Sequence, residues 1–281
     1  MNYIISMTIS LYKFLISVSA SVLFTSCGAL SGLGSSPEVA PVKPVAVPKN
    51  TSYAAPTVKP PAPRNPANNF SRDISSSSQI TWSRGSSSGK YIALTFDDGP
   101  VSSNTTRLLD MLKRRNVKAT FYVLGNRIQN NQSLVRRMVA EGHEIGNHTW
   151  THGKLTAMSD TKVRWELDKT RDAIVAATGV KPRTMRPPYG ALSTRQRGMI
   201  FREYGYPTIL WDVDPEDWKK PGVSVVRNRI LSGTKNGSII LLHDLHSSSV
   251  DAVPSTVDAL LRRGYKFVTV SQLIALKNKG Q

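Results

Sequence analysis

A single cysteine, Cys27, stands in 281 residues, so no intrachain disulfide can brace the fold. Acid is scarce: 19 Asp and Glu face 37 Lys and Arg, a formal charge of +18. That imbalance implies an anionic partner or setting, whether nucleic acid, acidic lipid head groups or a cell-wall polymer. The basic residues are not interleaved with aromatics and no nucleic-acid motif occurs, so nucleic acid ranks low among these. Beyond the N-terminal segment no apolar stretch is long enough to span a bilayer. The H-E-x-x-H signature of zincins is missing too, because Thr149 follows His148.

What is present begins with a targeting pattern. Residues 1–26 carry no charge except Lys13, and a mostly apolar run at 14–24 leads into Thr25-Ser26-Cys27. Small residues ahead of a lone cysteine resemble a bacterial lipoprotein signal, in which Cys27 is lipidated and becomes the mature N-terminus. A plain secretory signal and an uncleaved anchor are the alternatives. Residues 28–88 follow as a tether, with P-E-V-A-P-V-K-P-V-A-V-P, P-T-V-K-P-P-A-P-R-N-P and two serine runs. Proline this dense blocks helix and sheet and offers little apolar surface to bury. The folded domain is therefore expected at 89–281.

That domain is organised around residues 91–100, Y-I-A-L-T-F-D-D-G-P. Apolar, β-branched and aromatic residues favour a buried strand, and Gly99-Pro100 must end it. Neighbouring strand residues face opposite ways, so only a sharp turn could aim both Asp97 and Asp98 at one point. Grouped carboxylates repel, and a bound cation would relieve that repulsion.

Further strands are expected at 119–123, 144–147, 183–186, 208–212, 238–242 and 266–270. Helices are expected at 104–115, 131–141, 159–178, 194–204, 223–232, 253–263 and from 271 onward. Seven strand–helix units in a row imply parallel pairing. About 190 residues fall short of the roughly 250 of a complete eightfold barrel. We therefore expect an α/β fold, a distorted, incomplete (β/α)7-type barrel, with a doubly wound sheet as runner-up. In either fold the C-terminal ends of the strands carry the site.

Polar side chains collect at those ends. They are Asp97-Asp98, then His148 and His152 in N-H-T-W-T-H, Arg186 to Gly190 in R-P-P-Y-G, Asp212 to Trp218 in D-V-D-P-E-D-W, and His243-Asp244 in L-L-H-D. Histidines four apart can share one face of a tight loop. With one carboxylate they suit Zn²⁺ and leave positions for water and substrate. Two histidines and a carboxylate also serve non-haem iron.

T-F-D-D-G-P, H-T-W-T-H, R-P-P-Y-G, D-P-E-D-W and L-L-H, in that order, resemble the motif set of the polysaccharide deacetylase family (NodB homology domain). The resemblance covers roughly residues 90–275. The stretch G-H-E-I-G-N-H-T-W-T-H looks most like the peptidoglycan N-acetylglucosamine deacetylases. The resemblance implies Asp98, His148 and His152 as ligands of a divalent metal, Zn²⁺ first, with Co²⁺, Ni²⁺ or Mn²⁺ as substitutes. It implies Asp97 as general base, Arg186 as its partner, the Tyr189 backbone N–H as an oxyanion donor and His243 as general acid. Asp217 is the implied partner of His243, with Asp214 a rival, and Trp218 and Leu241 form an apolar wall for the acetyl methyl. Asp212, His143, His246 and Asp244 are left as supporting residues.

The implied reaction is hydrolysis of N-acetyl groups on an envelope glycan, peptidoglycan first. Chitin oligomers and β-1,6-linked N-acetylglucosamine polymers come next, and O-acetylated xylan last. The protein would be an envelope lipoprotein held to a membrane by its lipid and facing the periplasm or exterior, with no obligate protein partner evident. A glycan-binding lipoprotein without turnover is the alternative from another class; intact metal, base and acid sets argue against it. The alternation of strand and helix likewise argues against an iron oxygenase.

Overall fold

The computed structural model describes residues 79–85 and 88–278. The expected signal segment, Cys27 and residues 28–78 of the tether lie outside the described residues. Among the described residues no helix is long and apolar enough to cross a membrane.

Strand β2, Tyr91–Asp97, is buried along all but its first residue. Its alternation divides the domain in two. Ile92, Leu94 and Phe96 join a cluster with Phe121, Val123, Ile240, Leu242 and the leucines of the surrounding helices. Ala93 belongs instead to a second cluster with Trp82, Tyr122, Ile209 and Leu273. Thr95 and Asp97 follow Ala93 on that inner face. The interior thus changes from an apolar plug to polar groups as β2 runs toward its C-terminal end.

Parallel neighbours flank β2. On one side lie β3, Thr120–Val123, and then β4, Glu144–Asn147. On the other lies β6, Ile239–His243, in the register Thr95 to Leu241 and Asp97 to His243. The short β7, Lys266–Phe267, pairs with the first residues of β2. The remaining wall is thin. The strand expected at 183–186 reduces to Met185, bridged to Asn147 and to Thr208 of β5, Thr208–Ile209. Pro182 and Pro187-Pro188 enclose that segment and deny it ladder donors. The strand expected at 208–212 is likewise cut to two residues. There the Asp212 side chain accepts from Ile239 N–H at 2.8 Å and Ser238 Oγ at 2.9 Å, and β5–β6 pairing persists only as a bridge from Val213 to Ile240. An incomplete parallel barrel results, as expected.

The domain starts earlier than residue 89, and this corrects the expected tether boundary. Strand β1, Thr81–Trp82, runs parallel to β5, and Arg84 bridges to Ser238 at the foot of β6. Trp82 is buried, and Arg84 Nε pairs with Asp212 Oδ2 at 2.9 Å. A large aromatic and a cation with a carboxylate waiting for it supply what the serines around them cannot.

The helices are α1 (Ser102–Arg114), α2 (Gly125–Ile128), α3 (Gln132–Ala140), α4 (Asp160–Thr178), α5 (Thr194–Tyr204), α6 (Val223–Gly233), α7 (Ser247–Arg262) and α8 (Val270–Asn278). Ser159 caps α4 and a Ser193–Gln196 capping box starts α5; Gly179 and Gly205, both left-handed, end them. Helix α7 begins six residues before the expected 253 and carries Pro254 in its body.

Candidate metal centre and active site

Strand β2 ends in the turn its sequence demands. Asp97 is still paired with Tyr122 and His243, while Asp98 swings to φ 72°. Both carboxylates thereby reach the same imidazole: His148 Nε2 lies 3.2 Å from Asp98 Oδ1 and 3.7 Å from Asp97 Oδ2. His152 Nε2 is also 3.2 Å from Asp98 Oδ1. One ligand atom from each of Asp98, His148 and His152 lies within 4.8 Å of the others.

The donor set fits a divalent cation. His148 Nδ1 stands 2.7 Å from the Arg186 carbonyl, which can only accept, so Nδ1 carries the hydrogen and Nε2 presents its lone pair. That lone pair and the Asp98 oxygen are two acceptors facing each other. Asp98 Oδ1 is buried and forms no hydrogen bond, a costly state that a shared cation removes. Burial opposes a positive charge on His148, yet Asp97 and Asp98 outweigh it and move its pKa up, so the same carboxylates that suit a cation draw a proton to Nε2 when none is bound. Burial would also raise the pKa of Asp98, but His148, His152 and His243 hold it well below the usual carboxylate range. His152, less favoured, is moved down by burial with the neighbouring histidines.

Arg186, from the bridge segment, is buried at the centre of the inner face. Its Nη1 donates to Asp97 Oδ1 and Thr95 Oγ1, both at 2.7 Å, and its other nitrogens donate to the Ile209 and Leu210 carbonyls at 3.3 and 3.1 Å. The guanidinium lies over the Tyr122 ring at 4.3 Å. Beyond it, Pro188–Gly190 forms a 3₁₀ turn with Tyr189 at φ 59° and 69% exposed. The Tyr189 ring meets His152 edge to face, with centroids 4.9 Å apart.

Across the mouth stands His243, at the end of β6. Asp217 Oδ2 accepts from its backbone N–H and Oδ1 from Nδ1, both at 2.8 Å. Asp214 is exposed and accepts from Glu216 N–H, so Asp217 rather than Asp214 holds the imidazole. Burial disfavours the imidazolium, but Asp217, then Asp97 and Asp98, override it and push the His243 pKa up to about 9. Leu241 shares the His243 face, is buried, and belongs to neither core cluster around the sheet. Trp218, beside Asp217, is 50% exposed.

Asp97, Asp98, His148, His152, Arg186, Tyr189, Asp217, Trp218 and His243 therefore lie at this end of the strands, whereas the Asp212 carboxylate turns to Ser238 and Ile239 at the foot of β6 and His143 accepts from Ala119 N–H before β3 begins. Three supporting residues were not singled out from sequence: Thr95, Asn147 and Glu166. Thr95 was legible in principle, two before Asp97 and so on its face. Asp244 sits beneath the β2 turn, against Gly99 and hydrogen-bonded to Thr105. Its burial raises its pKa to about 7.

Comparison with known proteins adds the lineage. The polysaccharide deacetylase profile matches residues 84–209. The peptidoglycan-N-acetylglucosamine deacetylase PgdA of Listeria monocytogenes is 45% identical over 188 residues, 67% of this chain and 40% of that protein. This chain thus spans about two fifths of PgdA. A peptidoglycan-N-acetylglucosamine deacetylase of Bacillus cereus is 38% identical over 216 residues, 74% of this chain and 98% of the relative. The crystal structure of the Bc1960 peptidoglycan N-acetylglucosamine deacetylase superposes with a TM-score of 0.67 at 34% identity, covering 69% of this chain and 92% of that one.

Proposed function

This chain belongs to the polysaccharide deacetylase family, and on that premise we propose that it hydrolyses N-acetyl groups of a cell-envelope glycan, N-acetylglucosamine of peptidoglycan first. The observation that carries the reading is the convergence at one mouth of Asp98, His148 and His152, flanked by Asp97–Arg186 on one side and His243–Asp217 on the other.

Asp98, His148 and His152 would hold the cation, Zn²⁺ by preference, which when bound acidifies a water to a pKa of about 7 and polarises a carbonyl. Asp97, oriented by Arg186, takes the proton of the attacking water, a transfer worth roughly 10²–10⁴-fold. The water oxygen bonds to the acetyl carbon and the carbonyl oxygen gains charge. The Tyr189 backbone N–H is the donor offered to it, a contribution of about 3–4 kcal/mol. As the C–N bond breaks, the leaving nitrogen takes its proton from His243 Nε2. Asp217 makes that role possible by fixing Nδ1 and keeping the ring protonated. Acetate and a free amine result. Leu241 and Trp218 supply apolar surface for the methyl group.

The relatives named for peptidoglycan support that substrate. The cationic sequence supports an anionic wall as its setting, and the Cys27 pattern supports a lipid-anchored envelope protein. Acetate release from peptidoglycan, chitin oligomers, β-1,6-linked N-acetylglucosamine polymer and acetylated xylan tests the ranking. Release from xylan alone would overturn it.

A further inference from the structure

The histidine loop meets a constraint that its own ligands do not satisfy. His148 and His152 must aim two Nε2 atoms at one oxygen, and the backbone between them turns hard, with Thr149 at φ 72° and His152 at φ 60°. A β-branched residue rarely adopts a left-handed conformation, which persists only where its surroundings over-determine it. Here they do. Thr149 N–H donates to Asn147 Oδ1 at 2.9 Å and His152 N–H to Thr149 Oγ1 at 3.2 Å. The two amides in between go to a single group. Trp150 and Thr151 N–H donate to Glu166 Oε2 at 2.9 and 2.8 Å, and Thr151 Oγ1 donates to Glu166 Oε1 at 2.8 Å.

Glu166 lies on α4, within the stripe of Val163, Leu167, Thr170 and Ile174 that faces the core, and it is fully buried. A carboxylate there is costly unless hydrogen-bonded throughout. Lys162 reaches Oε1 at 3.4 Å from the solvent side. The next residue along α4, Leu167, accepts at its carbonyl from Asn147 Nδ2 at 2.9 Å. Both sides of the loop therefore hang from one helical turn, which is not adjacent to the loop in sequence.

We propose that Glu166 is a positioning residue for the metal centre: its carboxylate fixes the backbone of residues 150 and 151 so that both imidazoles converge on Asp98 before a cation arrives. Hydrogen bonds from amides to a carboxylate are strong and directional. Outer partners of this kind typically set 10–100-fold in metal affinity. The inference rests on Asp98, His148 and His152 being a metal site.

The test is calorimetric titration of the metal-stripped full-length chain with ZnCl₂. E166L, which leaves three donors unanswered, is expected to weaken Zn²⁺ binding by about 10–100-fold. E166Q keeps an oxygen for both amides and is expected to bind near the wild-type value. I174A, a core truncation on the same helix, should lower Tm without changing Zn²⁺ affinity. Wild-type affinity in folded E166L overturns the proposal, as does E166Q binding as weakly as E166L. Should E166L fail to fold, T151V removes one donor from the loop side. A several-fold weaker Kd supports the proposal and an unchanged one overturns it. Absence of Zn²⁺ binding by the wild type would instead sink the metal-site reading itself.

Discussion

Arg186 Nη1 lies 2.7 Å from Asp97 Oδ1, and both side chains are sealed from solvent. Removing one member of a buried ion pair leaves the other uncompensated, which costs about 3–5 kcal/mol. R186M should therefore lose stability on that scale as well as turnover, by denaturant titration and acetate assay. R186K should rescue little, because an ammonium cannot reach Asp97, Thr95 and two carbonyls from one plane. Full activity in R186K would contradict this account of the pair.

Asp97 is assigned proton transfer and not metal binding. D97N is expected to keep Zn²⁺ affinity while kcat falls by roughly 10²–10⁴-fold. Loss of Zn²⁺ together with activity would move Asp97 into the ligand set.

His243 gives a pH dependence of definite sign. It acts as an acid, so its protonated form is the active one, and with a pKa pushed up to about 9 it limits kcat/KM on the alkaline side. D217N removes the main support of the imidazolium, and the alkaline limb should move to lower pH. The same raised pKa contributes folding stability present below the ordinary histidine value of about 6.5 and lost as pH climbs through the folded value. An alkaline limb unchanged in D217N would reject Asp217 as the partner.

The N-terminal edge yields a stability prediction. Trp82 is buried between β5 and α8 residues, and truncating a buried Trp costs about 3–5 kcal/mol. W82A should lower Tm sharply, and a chain beginning at residue 89 should be far less stable than one beginning at residue 79. Equal Tm values for the two chains would mean that β1 adds nothing to the fold.

Much of this was legible because the chemistry is local in sequence. Residues 91–97 read as a buried strand from their apolar run, and each polar motif falls where such a strand must end. The rest depends on partners distant along the chain. Two residues, Thr81-Trp82, carry no periodicity, and amid the serine runs around them nothing local announces a strand whose partner is more than 120 residues away. The strand expected at 183–186 shrinks to a single bridging residue, Met185, because its flanking prolines leave nothing longer to pair. The choice between Asp217 and Asp214 turned on a loop whose Glu216 and Lys220 are left-handed, a path no local pattern announces. Glu166 did leave a trace, a carboxylate at a core position of an amphipathic helix, but its partners lie in another loop.

Acetate released from peptidoglycan by the full-length chain, before and after chelation, probes the central claim most directly. The account predicts release that stops when the metal is stripped and returns when Zn²⁺ is added. Release that ignores the chelator, or a Zn²⁺-loaded chain that frees no acetate, would contradict it.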